Sequence, residues 1–226
     1  VRAWRYRIKG ESGHVVPVYL LDTDVSENQP WDRTLTDVLY GGDDHYRLCQ
    51  EMVLGVGGFR LLQALGYKDI RRFHMNEGHA ALLVLALMEE TLALQGQAES
   101  VSADLIENVR EQCIFTTHTP VPAGHDQFPE ELARQVLGDH RCRLLKACNN
   151  GQKLNLTQLA LHGSRYINGV AMKHGEVSHS MFPGYPIHSI TNGVHAVTWT
   201  APPFQKLFDT HLRDWRRDQL SLRYAV

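Results

Sequence analysis

The chain has 226 residues, 43% hydrophobic and 21% charged, an ordinary globular composition with length for one sizeable core or two small ones. With 23 Lys and Arg against 25 Asp and Glu, the formal charge of −2 provides no overall basic field for nucleic acid or an anionic membrane, so a neutral polar ligand is the default partner. Four cysteines at irregular spacing (Cys49, Cys113, Cys142, Cys148) suggest neither a zinc ribbon nor a disulfide framework, and no apolar run reaches membrane-spanning length. A cytoplasmic protein with reduced thiols is expected. Because the chain opens on Val1 inside a predicted strand, it reads as a fragment.

Residues 1–8 alternate, with Trp4, Tyr6 and Ile8 on one side of a half-buried strand and Arg5 and Arg7 on the other. A turn at residues 10–13 and an apolar run at 15–21 complete a hairpin. Asp22, Asp24, Glu27 and Asn28 follow without the glycine and terminal glutamate of a calcium loop, so a solvated, capped loop is expected. The acidic turn Gly41, Gly42, Asp43, Asp44 precedes a helix predicted over 46–65, with Leu48, Met52, Val56, Phe59 and Leu62 at helical spacing and Gly66 as its C-cap. Gly55, Gly57 and Gly58 lie inside it. Each costs about 1 kcal/mol relative to Ala, which implies close approach of another backbone or of a ligand. A dinucleotide loop is rejected, because that glycine motif opens a helix directly after a strand.

Residues 70–75 read as a short strand, Asn76, Glu77, Gly78 and His79 as its exit, and residues 80–88 as a helix buried on nearly every side. Residues 100–104 cap a helix running towards Gln112, and a strand starts at Cys113. That strand stops at His118, after which Pro120, Pro122 and Gly124 forbid a helix and lead to His125 and Asp126. Pro129, Glu130 and Glu131 open a helix that Gly138 ends, and residues 139–150 are expected to form a charged surface connection. Asn155 with Gln158 caps a helix carrying Leu156, Leu159 and Ala160. Residues 166–170 fit a strand with Asn168 and Gly169 at its exit, and nearly as well a helix continuing to His174. The last strand spans 187–190, before Thr191, Asn192 and Gly193, and residues 198–226 are amphipathic and aromatic without a catalytic pattern.

The recurrent pattern is a strand that stops at polar residues. If these strands are parallel, their exits gather Asn, Glu, His and Thr along one rim, where open α/β sheets bind ligands. Asn donates and accepts, Glu accepts and neutral His does one of each, a set suited to sugar hydroxyls. The alternative is that each residue only caps the helix after it. A metal on His74, His79, His118, His125 and Glu77 is disfavoured, since His74 and His79 straddle a strand exit instead of sharing a helical face; no metal ligand is assigned. No cysteine has an obvious neighbouring base, and Ser164 and Ser189 have no nucleophile elbow.

Together, the stretches YRLCQEMVLGVGG, HMNEGHAALL, FTTHTPVPAGHDQFP, YINGVAMKHGEVS and SITNGVHAVTW resemble the α-glucan (glycogen, starch or maltodextrin) phosphorylases in their shorter bacterial form, in order and over nearly the whole chain. The resemblance implies an α/β fold with a Rossmann-like parallel-sheet lobe, part of a two-lobed glycosyltransferase B-type fold. Residues 1–226 are then a partial N-terminal lobe, with the cofactor-binding C-terminal lobe absent. It also implies phosphorolysis of terminal α-1,4-linked glucose to α-glucose 1-phosphate with retention, and pyridoxal phosphate acting through its own phosphate group.

Carried onto this sequence, the resemblance makes His118 a partner of the glucose 6-hydroxyl and Asn192 a second one, with Thr119 beside them among the substrate-binding residues. Asn76, Glu77 and His79 line the acceptor side, Asp43 and Asp44 fall in a shortened gate loop, and Trp199 with Asn192 lies near the cofactor. Ala123 and Gly124 depart from the acidic pattern of the longer animal-type enzymes, while His125 and Asp126 become wall or acceptor-side residues. Nothing in the chain matches the cofactor lysine or the basic residues that grip inorganic phosphate. The chain is therefore expected to supply part of a pocket for an α-1,4-glucan or maltooligosaccharide, and no catalytic residue. A stand-alone carbohydrate-binding or interaction module and a metal-dependent hydrolase are the alternatives. An isolated fragment cut inside its sheet is expected to self-associate.

Overall fold

A computed structural model describes residues 1–10, 12–39, 41–96, 101–148 and 151–225. The N-terminal alternation yields two paired strands, β1 (Arg2–Lys9) and β2 (Val15–Asp22), closed by a turn in which Gly10 N donates to His14 O at 2.8 Å. β1 is exposed along its whole length, with Trp4 at 54% and Tyr6 at 64%, so the expected half-burial is corrected: the alternation marks an amphipathic strand, and amphipathicity alone does not bury it. The acids after β2 are held by arginines, Asp22 by Arg2 at 3.0 Å and Asp24 by Arg33 at 2.7 Å, as a solvated loop requires.

Asp43 Oδ1 accepts from Tyr46 N at 2.9 Å and caps α1 (Asp44–Met52). The predicted single helix is interrupted by a π-helical turn, Val53–Gly57, before α2 (Gly58–Ala64). The reason lies at Gly55, where a Cβ would stand 2.7 Å from Leu83 N and 2.8 Å from Leu82 C. Two backbones meet there, and only a residue without a side chain fits. Gly57 meets only Met52 O at 4.0 Å and Gly58 nothing within 4 Å, so close approach explains one of the three glycines.

The first parallel strand, β3 (Phe73–Asn76), is shorter than the run 70–75 predicts. A 3₁₀ turn, Gly78–Ala80, leads to α3 (Leu82–Gln95), whose residues Leu82 to Met88 are all buried, as an all-round apolar pattern demands. Ser102 Oγ accepts from Leu105 N at 3.1 Å and caps α4 (Ala103–Gln112), while Ser100 lies outside the described residues. β4 (Cys113–Thr117) follows, then β5 (Gln127–Pro129) and α5 (Glu130–Leu137). The expected surface connection at 139–150 is instead a helix, α6 (Asp139–Lys146): Gly138 at φ 86° breaks the chain direction, and Cys142, Leu144 and Leu145 are buried. Charges at neighbouring positions hide this apolar face in the sequence. β6 (Lys153–Asn155) pairs antiparallel with β5, and Asn155 Oδ1 accepts from Gln158 N at 2.9 Å to cap α7 (Leu156–His162).

Residues 166–170 resolve as a strand, β7 (Tyr166–Gly169), because pairing with β4 satisfies their backbone groups. α8 (Met172–Met181) and β8 (Ile187–Ser189) complete the series. The sheet order is β3-β4-β7-β8, all parallel, with Asn76 beside Thr116, Thr116 beside Asn168 and Asn168 beside His188. The fold is thus mixed α/β with a parallel four-strand sheet, compatible with a Rossmann-like lobe, and its core runs through Met75, Leu82, Leu85, Phe115, Leu156 and Leu159.

The chain divides into two compact units, Val1–Ala3 with Leu21–Thr191 and Trp4–Leu20 with Asn192–Val226. The sheet belongs to the first. In the second, α9 (Ala196–Trp199) and α10 (Pro202–His211) are tied by Gln205 Nε2, which donates to Val197 O at 2.9 Å and Thr200 O at 2.8 Å. Buried Trp215 packs edge-on against Phe208 at 5.4 Å and donates to Asp209 Oδ1 at 2.9 Å. No helix among the described residues is long and apolar enough to cross a membrane.

Gly55→Ala is expected to destabilise the protein by about 1–3 kcal/mol through overpacking against backbone. Gly58→Ala, in open helical space, is expected to stabilise it by about 0.4–1 kcal/mol. Denaturant unfolding of both variants checks the pair, and equal effects would contradict the assignment of Gly55 as the contact.

Candidate functional site

The parallel sheet brings the exits of β3, β4 and β7 to one rim, and two polar networks organise it. In the first, the carboxylate of Glu77, just past β3, reaches across to the end of β4. Its Oε2 accepts from His118 N at 2.6 Å and Thr119 Oγ1 at 3.0 Å, and its Oε1 from Gly78 N at 3.3 Å and Thr117 Oγ1 at 3.4 Å. Glu77 is buried and its backbone sits at φ 70°, ψ 170°. Such a conformation costs a non-glycine residue about 1–3 kcal/mol, while each hydrogen bond to a charged group contributes about 1.5–3 kcal/mol net, so the two short bonds alone offset the strain. The result is a fixed main chain at His118, whose side chain stays 39% exposed on the rim.

Below it, His74 Nε2, Thr116 Oγ1 and Asn168 join β3, β4 and β7. The Thr116 hydroxyl donates to Asn168 Oδ1 at 3.0 Å, so the 2.7 Å contact with His74 requires the proton on His74 Nε2. Asn168 Nδ2 donates to Gly169 O at 3.3 Å. The Asn168 side chain therefore locks the sheet end instead of capping α8.

The second network is charged. Arg47 and Glu51, one turn apart on α1, meet His79 and Asp126. Arg47 Nη2 lies 2.7 Å from Asp126 Oδ2 and 3.6 Å from Glu51 Oε1, and His79 Nδ1 lies 3.2 Å and 3.5 Å from the same two atoms. Burial pushes Glu51 up to about 7. The carboxylates of Asp126 and then Glu51, both close to its Nδ1, lift His79 to about 9. Asp126, although burial works to raise it, is driven down to about 2 by the neighbouring His79, Glu51 and Arg47. Glu51, His79 and Asp126 also offer ligand atoms within 4.8 Å of one another. The Arg47 guanidinium already stands against that set, and a metal ion added there would face an unscreened positive charge.

Of the residues expected from the sequence, Asn76, Glu77, His79, His118 and Thr119 come together at the rim. Asp43 has its carboxylate engaged as the α1 cap, and Asp44 is the first residue of that helix. Asn192 and Trp199 belong to the second compact unit, where Trp199 is 76% exposed. His125 is buried: its Nδ1 contacts Thr157 Oγ1 at 2.9 Å, its ring packs edge-on against Phe182, and burial lowers it from its ordinary value. Burial likewise raises the thiols of Cys49 to about 11 and Cys113 to about 12, so neither is a nucleophile at neutral pH. None of these rim side chains is an amine that would bond an aldehyde cofactor, so the rim by itself does not fit pyridoxal phosphate. The sequence reading missed Arg47 and Glu51. Their signal was an Arg and a Glu four apart on one face of a predicted helix.

The charged cluster has a defined linkage to pH. Glu51 and His79 hold their protons more tightly when folded, so their contributions are complete below 4.5 and 6.5 and are lost as pH rises through about 7 and about 9. Asp126 contributes above 3.8 and is lost as pH falls towards about 2. Glu51→Gln is expected to flatten the decline of the melting temperature between about pH 4.5 and 7. An identical slope in the variant would contradict the burial of an ionisable Glu51.

No protein-family profile matches the chain. Curated relatives do. A maltodextrin phosphorylase of Thermococcus litoralis is 39% identical over 220 residues, covering 89% of this chain and 25% of that protein. A glycogen phosphorylase of Mycobacterium tuberculosis is 39% identical over 222 residues, covering 85% and 25%. One from Aquifex aeolicus is 33% identical over 213 residues, covering 86% and 30%. The chain spans about a quarter of the length of the curated relatives it matches. These identities make it a relative, over most of its own length, of one segment of the glycogen and maltodextrin phosphorylases.

Proposed function

We propose that this chain works within the N-terminal lobe of a two-lobed, glycosyltransferase B-type α-1,4-glucan phosphorylase, where it forms one wall of the sugar pocket. The observation that carries the reading is the exposed His118 imidazole on a main chain pinned by Glu77 at the carboxyl end of a parallel sheet. The relatives named as glycogen and maltodextrin phosphorylases support it.

In this reading His118 bonds the 6-hydroxyl of the terminal glucose, a bond contributing about 0.5–1.5 kcal/mol net. An imidazole that both donates and accepts suits a hydroxyl, which does the same. Exposed Asn76 and half-buried His79 face the acceptor sugars. Glu77 and Thr119, bonded to each other, act on the sugar indirectly by holding the His118 loop. Asp43 and Asp44, at the start of α1, belong to the shortened gate loop. Pyridoxal phosphate supplies proton exchange through its phosphate group when bound; its lysine and the residues for inorganic phosphate belong to the remainder of the longer protein. This chain's own residues bind and orient the glucan, and the reaction is phosphorolysis to α-glucose 1-phosphate. A cytoplasmic setting suits such an enzyme and its free thiols. Taken alone, the chain is expected to self-associate through exposed Trp4, Tyr6 and Ile8.

In the full-length protein, His118→Ala is expected to lower kcat/KM for maltoheptaose about 10–100-fold, and more than His125→Ala does. The reverse order would contradict the assignment. Residues 1–226 alone, given pyridoxal phosphate and phosphate, are expected to release no glucose 1-phosphate, and measurable release would overturn the division of labour.

A further inference from the structure

We infer that Glu51 is a positioning residue for the acceptor side of the rim, holding the His79 imidazole and the Arg47 guanidinium from within α1. The inference rests on the phosphorylase reading for its functional consequence, and on geometry alone for the contact. Glu51 lies in the stretch YRLCQEMVLGVGG, where the resemblance assigns it no role.

Glu51 is 3% exposed, and both its carboxylate oxygens are closed to solvent without a hydrogen-bond partner among the described residues. What faces it is ionic: His79 Nδ1 at 3.5 Å and Arg47 Nη2 at 3.6 Å. A buried carboxylate held in this way is costly, and an apolar side chain of the same volume is often at least as stable in such a place. Stability is therefore a poor reason for a glutamate there, and the two cations it faces are a better one. Asp126 grips the same pair at 2.7 Å and 3.2 Å from the loop before β5. The two cations are thus held from two different elements, one carboxylate on each, and both must be in place for His79 to keep one orientation.

Other charged groups packed nearby are engaged elsewhere. Glu77, which precedes the turn carrying His79, bonds the His118 loop. On α5, which packs against α1, Glu130 pairs with Arg134 at 2.7 Å and Lys146 at 3.2 Å. With Glu51 and Asp126 both contributing to a raised His79, the imidazole is held by the carboxylates at Nδ1 and presents Nε2–H as the donor for a sugar hydroxyl on the acceptor side.

The test uses the full-length protein with Glu51→Gln, which keeps shape and removes charge, and Glu51→Asp, which keeps the charge. The His79 Cε1 proton, identified by its loss in His79→Gln, is followed by NMR against pH. The inference predicts that Glu51→Gln lowers the His79 midpoint by about one unit or more, while Glu51→Asp stays nearer the wild type. It further predicts a rise of about fivefold in KM for maltoheptaose with kcat changed less than about twofold. An unchanged His79 midpoint in Glu51→Gln overturns the inference, as does a parallel loss of kcat and melting temperature in both variants, which marks a merely structural residue. The NMR arm needs no turnover, so a wild-type protein without phosphorolysis would sink the functional reading and leave the contact to be judged by its titration.

Discussion

One carboxylate sets the geometry on which the rim depends. Glu77 leaves β3 in a backbone conformation that glutamate rarely adopts, and in doing so turns its side chain across the top of the sheet to the main chain of His118. Parallel pairing alone carries the ladder as far as Thr116 O on the β3 side, where it accepts from Glu77 N at 2.9 Å, and as far as Thr117 beside Gly169 on the β7 side. Beyond that point nothing in a β-sheet dictates where the chain goes, and where the prolines led the sequence to exclude a helix it forms one short 3₁₀ turn, Pro122–Gly124, since proline is tolerated in a first turn. The Glu77 carboxylate replaces the missing ladder with charged hydrogen bonds, and Gly78, packed against Thr157, allows the turn to close beneath it. The strain and its compensation occur at the same residue, as is typical where structure is organised for binding.

A second layer supports the first. The backbone contact at Gly55 lets α1 and its π turn sit directly on the start of α3, which places Arg47 and Glu51 opposite His79 and Asp126. Asp126 in turn leads into β5, whose pairing with β6 positions Asn155 to cap α7 and Thr157 to meet His125. Helix, turn and loop are thus connected through ionised groups on one side and close backbone packing on the other. The polar chain His74, Thr116, Asn168 fixes the strands below. The proposed sugar pocket requires such rigidity, because discrimination between hydroxyl patterns depends on donors that do not relax when a hydroxyl is missing.

Much of this was legible in the sequence. The runs before Asn76, His118 and Asn168 are short, apolar and followed by polar exits, and they do pair in parallel. The caps at Asn155 and Ser102 and the buried α3 follow from local rules of spacing and composition. Other features depend on distance in space. DHRCRLLK looks like surface because its charges alternate with the buried Cys142, Leu144 and Leu145, and the strand at Tyr166 can be told from a helix only by its partner β4. Glu77 reads as a ligand contact until the backbone amide it meets is known. Residues 51, 79 and 126 converge only through the fold, so their charge cluster has no linear signature. The alternation in β1 correctly marks a strand but says nothing about whether its apolar side is covered.

The account turns on whether Glu77 holds the His118 main chain. Hydrogen–deuterium exchange of full-length protein carrying Glu77→Ala tests this directly, since it reads the amide that the carboxylate binds and does not depend on activity. Exchange at His118 and the residues after it is expected to accelerate about tenfold or more, while the amides of Phe115 and Thr116, held in the sheet ladder, keep their protection. Equal protection at His118 in the variant and the wild type would contradict the claim.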